Sequence, residues 1–108
     1  MEEKRERLCR LLDCYGEALS ARCRDVMTSY YADDLSLAEI AENCGITRQG
    51  VHDALRRGET ELTAWEEALG LLEKREKLFA VIDRLSGSKY AEERALAAEL
   101  TEILTGDH

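Results

Sequence analysis

Residues 37–57 read LAEIAENCGITRQGVHDALRR, and this stretch decides the fold. Two short helices that cross closely need a small residue at the crossing and a glycine at the turn. They also need apolar side chains at fixed offsets. Ala41 supplies the small residue, and Gly45 supplies the turn four positions on. Ile40, Cys44, Ile46, Val51 and Leu55 are placed to lock the pair together. Just upstream, Ser36-Leu37-Ala38-Glu39 has the spacing of a capping box, in which Ser36 and Glu39 satisfy each other's backbone N–H groups. Thr47 caps the helix that follows. The segment 36–57 is therefore expected to be a helix-turn-helix.

The rest of the chain reads as helix on both sides of that segment. Leu8, Leu11, Leu12, Tyr15 and Leu19 recur at the 3- and 4-residue steps of an amphipathic helix, over about residues 3–16. Ser20 opens a second helix whose apolar positions are Cys23, Val26, Met27, Tyr30 and Tyr31; Asp33 and Asp34 break it. From Thr47 to about Leu85 the pattern predicts a long helix. Its stripe of Leu55, Leu62, Trp65, Leu69, Leu72 and Phe79 is heptad-like, and Gly58 is its weak point. Ser86-Gly87-Ser88 ends it, and a last helix spans about 89–104. The 108 residues contain no proline and seven glycines, and no strand signal extends beyond a few residues. The expected fold is all-α: a helical helix-turn-helix domain over 1–60, then a long helix and a short C-terminal helix over 61–108.

Composition narrows the chemistry. Apolar residues make up 44% and charged residues 35%, the balance of a globular chain. No apolar run is long enough to span a membrane, and the charged start MEEKRERLCR lacks the apolar stretch of a signal peptide. A cytoplasmic location is expected. The four cysteines, at 9, 14, 23 and 44, lack zinc spacing and read as small buried hydrophobes. There is no nucleophile–base pair, phosphate loop or metal cluster. Asp33-Asp34 reads as a turn. No enzyme, cofactor or metal is expected.

The candidate binding residues lie at the start of the second helix of the motif, which in such units faces the major groove. They are Thr47, Arg48, Gln49, His52, Arg56 and Arg57. Arg48 suits guanine and Gln49 suits adenine. Arg56 and Arg57 suit phosphate. Asp53, beside them, is wrong for phosphate, though it could accept from cytosine. The chain as a whole opposes nucleic acid: 15 basic against 23 acidic side chains leave a net charge of -8. The alternative is a helical hairpin that docks protein. Leu62, Trp65, Leu69, Leu72 and Phe79 form the candidate partner or dimer surface. Tyr30 and Tyr31 read as core and rim rather than as platforms for bases.

These residues resemble a known family. The run Tyr30-Tyr31-Ala32-Asp33-Asp34-Leu35-Ser36-Leu37-Ala38-Glu39-Ile40-Ala41, followed by Thr47-Arg48-Gln49-Gly50-Val51-His52-Asp53, is similar to the YlxM family of small bacterial helix-turn-helix proteins. Arg57-Gly58-Glu59-Thr60-Glu61-Leu62 and Leu12-Asp13-Cys14-Tyr15 extend the similarity over about residues 8–80. Gly50 stands where that family usually has Ala. The resemblance implies a fold like region 4 of sigma factors. It also implies an accessory or regulatory role in the signal-recognition-particle pathway, with the particle's GTPase, its RNA, or both as partners. The motif by itself implies a DNA-binding regulator. The stripe from Leu62 to Phe79 is expected to fold back on the first helix or to pair with a second copy, and a homodimer is expected because two-fold pairing is the commonest closed symmetry.

Overall fold

The structure is a computed structural model, and it describes residues 2–106. Among the described residues there are six α-helices and no strand: α1 Glu2–Tyr15, α2 Ala21–Tyr31, α3 Leu37–Cys44, α4 Arg48–Leu69, α5 Leu71–Ser86 and α6 Ala91–Thr105. A 3-10 turn, Gly16–Ala18, joins α1 to α2. The chain divides into two compact units, Met1–Gly70 and Leu71–His108.

Local chemistry accounts for the helix starts. Ser20 Oγ accepts from the Cys23 N–H and begins α2. At α3 the capping box is complete: Ser36 Oγ accepts from the Glu39 N–H at 3.1 Å, and Glu39 accepts from the Ser36 N–H at 3.0 Å. Thr47 Oγ1 accepts from the Gly50 N–H at 2.9 Å and starts α4. Each such cap contributes about 1 kcal/mol.

The first unit has one core. α4 packs against α1, α2 and α3. Leu8, Leu11 and Tyr15 of α1, Leu19, and Cys23, Val26 and Met27 of α2 are buried, together with Ile40 and Ala41 of α3 and Val51 and Leu62 of α4. Tyr30, Leu35, Cys44, Ile46 and Leu55 pack against the centre formed by Val26, Ile40, Ala41 and Val51. All five residues expected to lock the motif therefore do so.

The second unit is a helical hairpin. The connection from α5 to α6 covers only residues 87–90, which makes the helices antiparallel. A hydrogen bond from Arg75 Nη2, early in α5, to the Leu104 carbonyl, late in α6, fixes that direction. Leu72, Ile82 and Ala97 are its buried apolar residues.

The long helix expected from Thr47 to Leu85 is two helices. The break is not at Gly58, which is buried inside an uninterrupted α4. It falls at Gly70, where φ is +62°, a left-handed conformation that costs glycine little and other residues more. The Gly70 N–H closes the last turn onto the Glu66 carbonyl at 2.8 Å, and α5 starts at the next residue. The expected boundary near residue 60 thus lies within α4, and the compact units meet ten residues later.

Candidate nucleic-acid interface

The helix-turn-helix comprises α3, a turn at Gly45 and the first half of α4. Gly45 adopts φ +67°, and its N–H bonds the Glu42 carbonyl at 3.3 Å. The Ile46 N–H returns to the Ala41 carbonyl at 3.0 Å. These bonds satisfy the last carbonyls of α3 and turn the chain so that Thr47 can start α4 one residue later. Ala41 is buried at the crossing.

With Val51, Leu55, Gly58 and Leu62 turned toward the core, α4 presents the remaining arc outward. At about 100° per residue, Arg48, His52, Arg56 and Gln49 fall on one side of that arc. Arg57 lies further round, and Asp53 sits between. Thr47, Arg48, Gln49, His52, Asp53, Arg56 and Arg57 are all exposed. The positive end of the α4 backbone dipole lies at the same end as Arg48. The structure therefore brings Arg48, Gln49, His52 and Arg56 onto one side of α4, with Thr47 at its cap and Arg57 further round.

Two features modify that surface. Gln49 Nε2 donates to Asp53 Oδ1 at 3.0 Å, so the amide suited to adenine is already engaged within the helix. The i, i+4 spacing of the two residues carried that signal. Thr47 Oγ1 is occupied as an acceptor by the cap, which leaves its hydroxyl proton as the group it can offer.

The tyrosine pair braces this helix, and both rings line a groove with His52 and Arg56. Tyr30 and Tyr31 meet edge to face, with centroids 4.9 Å apart. The Arg5 guanidinium lies 5.4 Å from one ring centre and 5.6 Å from the other. It also donates to the Tyr30 carbonyl at 2.8 Å and to Asp34. Tyr31 donates its hydroxyl proton to Glu59 Oε1 of α4 at 2.7 Å. Burial, reinforced by the Glu59 carboxylate, pushes the Tyr31 phenol well above its ordinary range. Arg5 and Glu59 thus tie α1 and α4 to the end of α2, a link with no periodic signature in the sequence. Asp34, at φ +60°, is the turn residue, as its pairing with Asp33 implied.

None of the four cysteines is in a disulfide. Cys23 is buried and donates to the Ala54 carbonyl at 3.4 Å; desolvation pushes its thiol up, Glu61 adds to this, and Arg57 opposes it. Cys9, Cys14 and Cys44 are half-buried. Among the described residues, no grouping of His, Cys, Asp and Glu could hold a metal ion, and no helix is long and apolar enough to cross a membrane.

The five residues expected at a partner surface are not equivalent. Leu62 has no exposed surface and Leu72 almost none. Phe79 is half-buried. Trp65 and Leu69 are exposed, and Trp65 borders a shallow groove with Ala18, Glu61 and Ala64. Leu62, Trp65 and Leu69 belong to the first unit, Leu72 and Phe79 to the second.

The sequence pattern of UPF0122, the YlxM / p13 like helix-turn-helix proteins, matches residues 2–103. The chain belongs to this family. It is similar to a UPF0122 protein of Geobacillus kaustophilus, 42% identical over 106 residues that cover 95% of this chain and 96% of the relative. A UPF0122 protein of Desulforamulus reducens is 45% identical over 86 residues, covering 76% of this chain and 74% of the relative. One from Listeria monocytogenes is 42% identical over 86 residues, with 77% and 78% covered. The UPF0122 match takes in the turn at Gly45, all of α4 and α5, and α6 as far as residue 103.

Proposed function

We propose that this chain is a nucleic-acid-binding regulator with no enzymatic chemistry, and that the first half of α4 is its contact surface. One observation carries the reading. Thr47, Arg48, Gln49, His52, Arg56 and Arg57 are exposed together on a helix held by a glycine turn. Arg48 would read a base edge, while Arg56 and Arg57 would meet phosphates. A protruding helix of this kind suits the wide major groove of B-form DNA. The deep, narrow major groove of an A-form RNA duplex does not admit it.

A second reading rests on the resemblance to the YlxM family and on the net charge of -8. In it the chain serves the signal-recognition-particle pathway in the cytoplasm and meets the particle's GTPase, its RNA, or both. An acidic protein is better matched to a basic protein surface than to phosphate. Contact with the RNA would then go to exposed loops and backbone rather than to a duplex groove.

Fluorescence anisotropy separates the two. Labelled duplex DNA and labelled signal-recognition-particle RNA are each titrated with the full chain, with and without the particle's GTPase, at two salt concentrations. Salt-sensitive binding to duplex DNA alone supports the regulator reading. Binding to the RNA, or only in the presence of the GTPase, supports the accessory reading. Labelled GTPase titrated with the chain completes the set, and no binding in any arm refutes both.

A further inference from the structure

The α5–α6 hairpin buries few side chains for its size and leaves large apolar ones outside. Leu71, Leu78 and Val81 of α5 and Leu96 and Ile103 of α6 are between 43% and 64% exposed. Their placement is regular. At about 100° per residue, the exposed apolar residues of α5 sit roughly a quarter-turn behind the arc of Leu72, Phe79 and Ile82 that packs inward. In α6, Leu96 and Ile103 sit roughly a quarter-turn behind the arc of Ala97, Leu100 and Leu104, in the same sense. In antiparallel helices, equal rotations in the same sense bring both sets to the same side. The hairpin therefore has one apolar face, built from both helices.

The charges beside that face are sorted by helix. Along the α5 edge stand Lys74, Lys77 and Arg84, all exposed; Lys77 also pairs with Glu73 within the helix at 3.1 Å. Along the α6 edge stand Glu92, Glu99 and Glu102, all exposed. A surface that covers this face must offer acid over α5 and base over α6. A second copy, turned about a two-fold axis parallel to the helices, does both: its α6 lies over α5 and its α5 over α6. Lys74 and Lys77 then face Glu99 and Glu102 of the second copy, and Arg84 faces its Glu92. The other face-to-face two-fold sets α5 on α5 and α6 on α6, like charge against like.

We propose that two copies of this chain associate through this face into an antiparallel four-helix bundle, with α5 of each copy against α6 of the other. The pairing is isologous, so each contact occurs twice. It uses different residues from the stripe of Leu62, Trp65, Leu69, Leu72 and Phe79 that the sequence pattern put forward. At about 1.5 Å per residue α5 is about 24 Å long, and two helices side by side are about 20 Å wide. A patch of that extent lies at the small end of specific interfaces, so a dimer that dissociates in the micromolar range is expected.

The test is sedimentation equilibrium of the full chain across low to high micromolar concentration. It compares the wild type, the Lys74→Glu/Lys77→Glu variant, the Glu99→Lys/Glu102→Lys variant, and an equimolar mixture of the two variants. Circular dichroism checks that each variant remains helical. The wild type should pass from monomer to dimer, each variant alone should stay monomeric at least tenfold higher in concentration, and the mixture should dimerise again. A wild type that is monomeric throughout overturns the proposal, as does a dimer that neither pair of reversals weakens. If both variants lose the dimer and their mixture does not regain it, the crossed pairing is wrong.

Discussion

Gly58 of α4 lies against Met27 of α2, so close that a Cβ added to Gly58 would overlap the Met27 Sδ. The same Cβ would stand 2.9 Å from Met27 Cγ and 3.0 Å from Cys23 Sγ. Met27 has no exposed surface into which it could retreat. The glycine that looks like a helix breaker in the sequence is a point at which α2 comes too close to α4 to leave room for a side chain.

Gly58→Ala is therefore expected to destabilise the fold. Alanine gains about 1 kcal/mol of helix propensity over glycine. Overpacking a filled core costs typically ~1–3 kcal/mol and wins here. Urea unfolding should give a lower midpoint than wild type, and Met27→Ala should cost less stability in the Gly58→Ala chain than in wild type. A higher midpoint for Gly58→Ala alone would contradict the contact.

The same substitution eight residues earlier should have the opposite sign. A Cβ on Gly50 would meet Thr47 Oγ1 at 3.2 Å and Ile46 carbons at 3.7 Å, a tight fit against groups near the surface. Thr47 is exposed and needs to yield only slightly. Gly50→Ala should stabilise the protein by up to about 1 kcal/mol and leave nucleic-acid binding unchanged. A fall in the thermal midpoint would show that the Thr47 cap cannot adjust.

Under the proposed DNA contact, residues of α4 that read bases and residues that meet phosphate should separate by their salt response. Arg48→Ala should cost about 1–3 kcal/mol on the preferred duplex and less on others. Arg57→Ala should weaken all duplexes alike and lower the slope of log affinity against log salt by about 1. Asp53→Asn removes a negative charge and loosens its hold on Gln49, so it should tighten binding. Anisotropy at several salt concentrations reads all three. Weaker binding by Asp53→Asn would argue that Asp53 itself contacts the target.

Acid should loosen the entry to the motif. The Ser36 backbone N–H, and then its side chain, hold the Glu39 carboxyl below the usual carboxylate range. A group whose folded pKa is depressed contributes stability that is present above its unfolded pKa and lost as pH falls through the folded one. Glu39 is exposed, so the effect is small and local. Thermal melts from neutral pH down through the carboxylate range should show wild type losing more stability than Glu39→Gln. Parallel curves would remove the capping carboxylate from the account.

Much of the motif was legible because its signals are local. Ser20, Ser36 and Thr47 cap helices through bonds to residues three positions on, and Gly45 turns where apolar spacing places it. The choice between Gly58 and Gly70 was not legible. Both interrupt the same apolar stripe, and only the approach of α2 makes one a crossing point and leaves the other a left-handed stop. In the sequence the stripe from Leu62 to Phe79 reads as one surface because its spacing ignores that stop. Gln49 reads as available from its fit to adenine, and only its i, i+4 spacing from Asp53 signals the bond that engages it. The sorted charges of α5 and α6 carry meaning only once a short loop has made the helices antiparallel.

The left-handed residue at Gly70 has a practical consequence. Everything that shapes the turn and α4, from Leu8 to Leu62, is packed on the N-terminal side of that joint. Residues 1–70 should therefore be portable. Grafted at Gly70 onto an unrelated pairing element, they would carry the same exposed helix into an assembly of the engineer's choosing, with spacing and valence set by the graft.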